Sequence, residues 1–212
     1  EHGVTIAEIK SGYGLSLEHE LRLLRIARGA SAENVVALDA PSGGPHVGVP
    51  RTTTTLLGAH AVPPEHAGER AAYVRLVAHE MVTAAASPRR VPGIGGDGFD
   101  DVTRAPLADA CDVYLDQNAF TVEEARTILT AARHAGLRIR AHVGQFADVG
   151  GAELVASLGG LSCDHLEHVS DVGLRAMAFA STSAVLLPGA WRTLRQTAPD
   201  AARMRAHGVR VA

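Results

Sequence analysis

The feature that most constrains the fold is a regular alternation along the chain. Short apolar or β-branched runs alternate with longer runs in which apolar residues recur with helical spacing. The short runs predict strands, and the longer runs predict amphipathic helices. Because helical crossovers join strands that run in the same direction, repeated units of this kind form parallel sheets. The predicted strands cover residues 4–9, 52–58, 111–115, 137–142, 162–167, 184–187 and 208–212.

The intervening segments carry helix start and stop signals. The third helix is the best defined: Thr121 can cap it, Glu123 and Glu124 fall in its first turn, and Gly136 is placed to end it. The glycine- and proline-rich segments 40–50 and 87–98 are predicted loops, because strand–helix units continue on both sides. We therefore expect one domain over residues 1–212. The predicted helices cover residues 17–28, 65–85, 122–134, 151–158, 171–180 and 201–207.

Composition excludes several classes of protein. Hydrophobic residues make up 46% of the 212 residues and charged residues 20%, as in ordinary globular proteins. A net charge of −3 gives no basic surface for nucleic acid, and no apolar run is long enough to cross a membrane. Cys111 and Cys163 form no C-x-x-C pair, so neither a disulfide framework nor a thiolate zinc site is expected. These features predict a cytoplasmic protein.

Polar residues distinguish between the two parallel-sheet architectures. They gather at the ends of several predicted strands: Lys10 and Tyr13 on the first, His60 on the second, His142 on the fourth and His165 on the fifth. A (β/α)8 barrel assembles its site from many strand ends around one opening, whereas a doubly wound sheet concentrates it at one crevice. The distribution therefore favours a barrel.

Two short motifs are not expected to carry function. Residues 93–98 match G-x-G-x-x-G, but no predicted strand precedes them and no helix follows, so a loop is the better interpretation. His79 and Glu80 begin like the zinc motif H-E-x-x-H, but Thr83 stands where the second histidine is required. His79 is therefore expected on a helix surface.

Four side chains remain as candidates from the residues alone. His142 and His165 each close a strand, where an imidazole can bind a metal, move a proton or serve the structure only. Tyr13 lies between glycines that allow a tight turn, so its ring either projects into the opening or belongs to an ordinary turn. His60 stands among small residues and is either a ligand-facing, a capping or a core histidine.

Five segments closely resemble the imidazolonepropionase family of the amidohydrolase superfamily. They are residues 8–15 (EIKSGYGL), 57–65 (LGAHAVPPE), 150–154 (GGAEL), 162–168 (SCDHLEH) and 186–190 (LLPGA). The resemblance implies a metal-dependent (β/α)8 barrel that carries a small β-sandwich. It also implies hydrolysis of the small molecule 4-imidazolone-5-propanoate to N-formimidoyl-L-glutamate, a step of histidine degradation.

The resemblance assigns roles residue by residue. His142 is a ligand of one divalent or trivalent metal ion, zinc or iron, and His165 polarises the attacked carbonyl or moves protons. Gln145 contacts the substrate ring where many members carry Glu; because an amide does not titrate in the useful range, Gln145 can orient but not act as a base. Tyr13 and His60 are implied to bind the substrate, near its carboxylate arm and its ring respectively.

Three departures from the family pattern shape the expectations. The family's His-x-His pair and its Asp-x-Asn-Pro-Gly segment are absent from the sequence, and HVGQ at residues 142–145 stands where H-A-[DE]-[EQ] is usual. The seven strands are therefore expected to be strands two to eight of an incomplete barrel, without strand one and the end of strand eight, and the isolated chain is expected to be inactive.

Two other functions stay open at this point. The chain could be an amidohydrolase for a different cyclic amide, or a non-catalytic barrel remnant that binds a ligand or a partner through its strand edges. A homodimer is the assembly expected for the chain.

Overall fold

The computed structural model describes Val4 and residues 6–36, 51–90 and 104–212. Within these residues, six parallel strands form one sheet in the order β1-β2-β5-β6-β7-β8, and β3 pairs with β4 in a short antiparallel ribbon. The strands are β1 (Ile6–Lys10), β2 (Arg51–Ala59), β3 (Arg89–Arg90), β4 (Arg104–Ala105), β5 (Ala110–Leu115), β6 (Arg138–Val143), β7 (Ser162–His165) and β8 (Ser183–Val185).

Helices connect successive strands of the sheet. The α-helices are α1 (Leu17–Val36), α2 (Arg70–Arg75), α3 (Val82–Ala86), α4 (Val122–His134), α5 (Gly151–Ser157), α6 (Asp171–Ala180), α7 (Pro188–Leu194) and α8 (Ala201–Ala206). A 3₁₀ turn covers Pro64–His66, and a π-helical segment, Leu76–Met81, joins α2 to α3.

The strand order identifies the architecture. Each strand of the main sheet lies next to its successor in the chain, with no reversal of the order. A doubly wound sheet reverses its order at a switch point, whereas a barrel does not. Beyond β8, Val211 forms a further parallel bridge to Ala184. The described residues thus form an incomplete (β/α)8 barrel, as predicted.

Alternation along the strands separates the core from the site. On β6, Ile139, Ala141 and Val143 are buried in the hydrophobic core, whereas Arg140 and His142 lie on the opposite face of the strand. Because successive strand residues point to opposite faces, apolar residues pack between sheet and helices while polar residues share the inner face.

Several element boundaries differ from the predictions. The predicted helix 65–85 is divided, because the chain makes a 3₁₀ turn and passes Gly68 before α2 begins. Helix α1 continues past the predicted end at residue 28, and α7 was not predicted. The predicted strand 208–212 is reduced to the bridge at Val211, because Gly208 has a left-handed φ of +83° at the end of α8.

Helix α4 has the predicted bounds and signals. Thr121 and Glu124 form a reciprocal capping box, and Gly136 follows the helix with φ +87°. The segment 40–50 and the motif at 93–98 lie outside the described residues. In the part of the chain that the structure describes, no helix has the length and apolar character needed to cross a membrane.

Candidate active site

The five residues singled out from the sequence come together at the carboxyl ends of the strands. The ring centroids of Tyr13 and His60 are 5.1 Å apart, those of His60 and His142 are 6.4 Å apart, and those of His142 and His165 are 5.5 Å apart. Gln145 follows β6 in the same region. Side chains from β1, β2, β6 and β7 thus meet at one opening.

The loop that carries Tyr13 is fixed by a carboxylate from the next helix. Glu20, buried on α1, accepts hydrogen bonds from the backbone N–H groups of Gly12, Gly14 and Leu15 at 2.8–2.9 Å. Gly12 has φ +113°, a conformation that side chains rarely adopt. The tyrosine ring itself is 84% exposed. A rigid loop therefore presents an accessible ring.

His60 is oriented by the same loop. Its Nδ1 lies 3.0 Å from the carbonyl oxygen of Gly12, and because a carbonyl only accepts, Nδ1 carries the proton. In the tautomer that carries its proton on Nδ1, Nε2 is an acceptor. The imidazole can accept a hydrogen bond from a ring N–H of a ligand.

His142 is held by a buried carboxylate that the sequence analysis did not identify. Nδ1 of His142 lies 2.9 Å from Asp112, and the other oxygen of Asp112 accepts a hydrogen bond from Nζ of Lys10 at 2.5 Å. Burial by itself raises the pKa of Asp112, but His142 and Lys10 outweigh it and hold the pKa below its ordinary value. Burial alone lowers the pKa of His142, but the charge and hydrogen bond of Asp112 outweigh burial, and the pKa is raised above its ordinary value.

Lys10, the only lysine of the chain, sits among carboxylates. Its Nζ donates to Asp164 at 2.8 Å and lies 3.6 Å from Glu8, which pairs in turn with Arg140 at 3.0 Å. Burial lowers the pKa of Lys10, but the carboxylates outweigh that effect and raise it, so the ammonium stays charged. The inner face of the sheet therefore carries a network of opposite charges.

Three side chains that could bind a metal ion cluster around His142. Ligand atoms of Asp112, His142 and Asp164 all lie within 4.8 Å of one another. The two carboxylates, however, already contact the ammonium of Lys10, which an ion between them would have to displace. Because Asp112 occupies Nδ1, the Nε2 atom of His142 is the better metal ligand, and Asp112 fits the outer carboxylate of a carboxylate–histidine–metal arrangement.

Gln145 is fixed on both sides. Its side-chain oxygen accepts the hydroxyl proton of Tyr114 at 2.8 Å, and Asp116 accepts hydrogen bonds from the backbone N–H groups of Gln145, Phe146 and Ala147. Burial, with Asp116 nearby, raises the pKa of Tyr114 to about 12, so the phenol remains a donor. The amide NH₂ of Gln145 is left to donate to a ligand.

The loop that carries His165 is locked against the loop after β6. His165 and Leu166 have φ values of +81° and +65°, and the N–H of His168 donates to the carbonyl of Gly144 at 2.7 Å. A Cβ at Gly144 would meet the carbonyl oxygen of His168 at 2.2 Å, so only glycine fits there. This close approach fixes the segment that follows the buried His165 against the loop after β6.

Sequence comparisons connect the chain to known enzymes. It is 43% identical to the imidazolonepropionase of Polaromonas sp. (strain JS666 / ATCC BAA-500) over 211 residues. This alignment covers 99% of the present chain and 42% of the Polaromonas protein. The chain is 40% identical over 210 residues to the imidazolonepropionase of Shewanella oneidensis, with 99% and 44% covered. The chain thus spans less than half the length of these curated relatives. No protein-family model matches the chain.

A solved structure supports the fold. N-isopropylammelide isopropylaminohydrolase from Burkholderia multivorans superposes with a TM-score of 0.55 and 16% sequence identity, over 99% of this chain and 46% of the other. Such low identity concerns the fold alone. The likeness agrees with the strand order in assigning an incomplete barrel.

Proposed function

Since the chain is homologous over 99% of its length to imidazolonepropionases, we propose that it supplies part of an active site that hydrolyses 4-imidazolone-5-propanoate to N-formimidoyl-L-glutamate. The observation that carries the proposal is the meeting of Tyr13, His60, His142, Gln145 and His165 at one opening. Each of these residues lies at a strand end, where barrel enzymes place catalytic groups.

We assign substrate recognition to residues that follow β1, β2 and β6. Tyr13 offers an exposed hydroxyl on a loop fixed by Glu20, which suits the propanoate arm of the substrate. His60, with Nδ1 committed to Gly12, accepts a hydrogen bond from the imidazolone ring through Nε2. The amide of Gln145 donates to the same ring and orients it.

The reaction adds water to the ring carbonyl and breaks the adjacent C–N bond. One proton from water ends on the departing ring nitrogen, and the hydroxyl oxygen stays on carbon; the new carboxyl group releases the second proton to solvent as it becomes a carboxylate. We assign to His165 the uptake of a proton as water attacks; once protonated, its ring can donate a hydrogen bond to the carbonyl oxygen on which negative charge develops. Gln145 takes no part in proton transfer.

His142 is proposed as one ligand of a zinc or iron ion, through Nε2. When bound, such an ion supplies Lewis-acid polarisation of the carbonyl and lowers the pKa of water towards ~7. The contribution of the chain is to hold Nε2 in place, which Asp112 does from the other side of the ring. Since metal sites normally use three or four protein ligands, His142 is one of a set.

The test is an assay of the protein with zinc or iron and 4-imidazolone-5-propanoate, following N-formimidoyl-L-glutamate. We expect turnover of about 1 s⁻¹ or more when these residues act within a complete barrel, and none from the isolated 212 residues, in which His142 lacks the rest of its ligand set. His142→Ala should abolish bound metal and turnover, whereas His79→Ala, on an exposed position, should leave both unchanged. If the folded, metal-loaded protein hydrolysed another cyclic amide faster, the assignment of 4-imidazolone-5-propanoate as its substrate would be wrong.

The setting of the enzyme is part of the proposal. The 212 residues are proposed to form one partial barrel domain in a cytoplasmic enzyme, because both cysteines are free and buried, as suits a reducing compartment. A homodimer is proposed as its assembly. Sedimentation of the purified protein at a monomer mass over a range of concentrations would refute the dimer.

A further inference from the structure

Glu167 is a buried carboxylate that the proposed reaction does not use. Its side chain is 1% exposed, and both of its oxygens lack a hydrogen-bond partner within the described part of the chain. Burying an ionised group without a partner costs free energy, so nearly all buried polar groups in proteins are paired. An unpaired carboxylate next to a candidate site therefore requires an explanation.

The polar group that faces Glu167 is the ring of His165. Nδ1 of His165 lies 3.7 Å from Oε1 of Glu167 and is itself buried without a hydrogen-bond partner among the described residues. The two atoms are chemically complementary, because an Nδ1–H donates and a carboxylate accepts. The hydroxyl of Tyr114, which also senses the charge of Glu167, already donates to Gln145.

The backbone between the two residues is bent so that they can meet. His165 and Leu166 both have left-handed φ values, an uncommon pair for residues other than glycine. The bend is held by hydrogen bonds from Leu166 N–H to the carbonyl of Val143 and from His168 N–H to the carbonyl of Gly144. Strained backbone of this kind persists only where neighbours enforce it, and it gathers at functional sites.

We propose that Glu167 is a positioning residue for His165. It accepts a hydrogen bond from Nδ1–H and so fixes the ring tautomer that leaves Nε2 facing the substrate. A movement of less than about 1 Å converts the 3.7 Å contact into a hydrogen bond. The inference rests on the proposed function, since it assigns His165 to proton transfer.

Leucine in place of Glu167 separates positioning from a structural role. Glu167→Leu fills the same buried space and removes an unpaired charge, so the melting temperature should stay equal or rise. We expect kcat to fall about 10- to 100-fold, within the ~10²–10⁴-fold that general acid–base catalysis contributes, with KM changed less than about threefold. Glu167→Asp keeps the charge and should retain most of kcat.

The ¹⁵N chemical shifts of the His165 ring give a readout that does not depend on turnover. In the metal-free protein the wild type should show the Nδ1-protonated tautomer, and Glu167→Leu should show a mixture. The matched control is Glu153→Leu, which removes a half-buried carboxylate outside the site and should change neither the tautomer nor kcat.

The outcomes are distinct. The inference would be overturned if Glu167→Leu kept the wild-type tautomer and the wild-type kcat. It would also be overturned if Glu153→Leu lost as much kcat as Glu167→Leu. If Glu167→Leu does not fold, the folded Glu167→Asp decides, because loss of both the tautomer and kcat there contradicts positioning by charge. Absence of imidazolone hydrolysis by the wild-type residues within a complete barrel would refute the proposed function, while the tautomer shifts would still report on the Glu167 contact.

Discussion

Asp112 links the ammonium of Lys10 to His142, the proposed metal ligand. One of its oxygens contacts the ammonium of Lys10, and the other contacts Nδ1 of His142. A carboxylate in this position fixes the tautomer of a ligating histidine and raises its basicity as a ligand. The negative charge of Asp112 is retained in the interior because His142 and the ammonium of Lys10 lie beside it and hold its pKa below the ordinary value.

Asp112→Asn should weaken metal binding without removing a ligand. The amide cannot accept from both Lys10 and His142 as the carboxylate does, so His142 loses its fixed tautomer. We expect metal affinity to fall about 10- to 100-fold, measured by competition with a chelator of known affinity. Asp109→Asn is the control, since Asp109 pairs with Arg28 away from the site. Unchanged affinity in Asp112→Asn would exclude its outer role.

The site residues that were predicted stand out in the sequence pattern, whereas the residues that were missed do not. Tyr13, His60, His142 and His165 were found because polar side chains at strand ends stand out against apolar strands. Asp112 and Glu20 were missed, since strand or helix periodicity shows which face a residue occupies but not the partner that neutralises it across the sheet. A carboxylate inside an apolar strand is the signal that could have found Asp112, because a buried charge requires a partner.

At the scale of elements, α1 fixes the substrate-binding loop through one side chain. Glu20→Gln should disturb that loop, because the amide offers one oxygen where three N–H groups converge, and its own NH₂ faces donors. We expect a stability loss of about 1–3 kcal/mol, as for other buried donors left unpaired. KM should rise more than kcat falls. Thermal unfolding and steady-state kinetics measure the two effects, and Glu18→Gln, exposed on the same helix, is the control.

Helix α4 is joined to α2 by a charged pair that responds to acid. The carboxylate of Glu124 accepts hydrogen bonds from Arg70 at 2.6 and 2.8 Å and also closes the capping box with Thr121. Arg70 chiefly, and the Thr121 backbone, hold the pKa of Glu124 below its ordinary value. The stabilisation is therefore present above the ordinary carboxylate pKa and is lost as the pH falls through the lower, folded-state pKa.

Glu124→Gln should destabilise the protein by about 1–2 kcal/mol at neutral pH, because the cap and the ion pair are both weakened. The variant carries no carboxylate at this position, so its deficit should shrink as the wild type is protonated below about pH 4. Urea unfolding at a series of pH values measures the difference. A deficit that stays constant down to pH 2 would contradict the assigned ion pair. Glu123→Gln, which faces solvent in the same turn, controls for the helix dipole.

Element boundaries follow the sequence only where local signals are strong. Helix α4 has its predicted ends because the capping box and Gly136 act within one turn of each end. The segment 65–85 has the apolar spacing of one helix, but the turn at Gly68 and the π-helical stretch depend on packing against α4 and the sheet. Helix α7 has no buried residue, so it has no buried apolar face that would recur with helical spacing in the sequence.

At the scale of the whole molecule, the order of the strands creates the site. Because β1, β2, β5, β6 and β7 are adjacent and parallel, the loops after them open on one side of the sheet. This arrangement was predictable, since polar residues follow so many strands. The closeness of the loops after β6 and β7 was not, because it depends on the absence of a side chain at Gly144.

The same arrangement predicts that metal binding stabilises the fold as a whole. An ion bound through His142 is absent from the unfolded chain, so it should stabilise the folded state by RT ln(1 + [M]/Kd), about 2.7 kcal/mol at a hundredfold excess over Kd. We expect zinc to raise the melting temperature of the wild type and a chelator to reverse the increase. His142→Ala should remove the zinc effect, whereas His134→Ala, exposed on α4, should keep it. Asp112 and Asp164 cannot replace the lost imidazole, because both carboxylates already pair with the ammonium of Lys10. If zinc raised the melting temperature of His142→Ala as much as that of the wild type, the ion would bind between the two carboxylates instead.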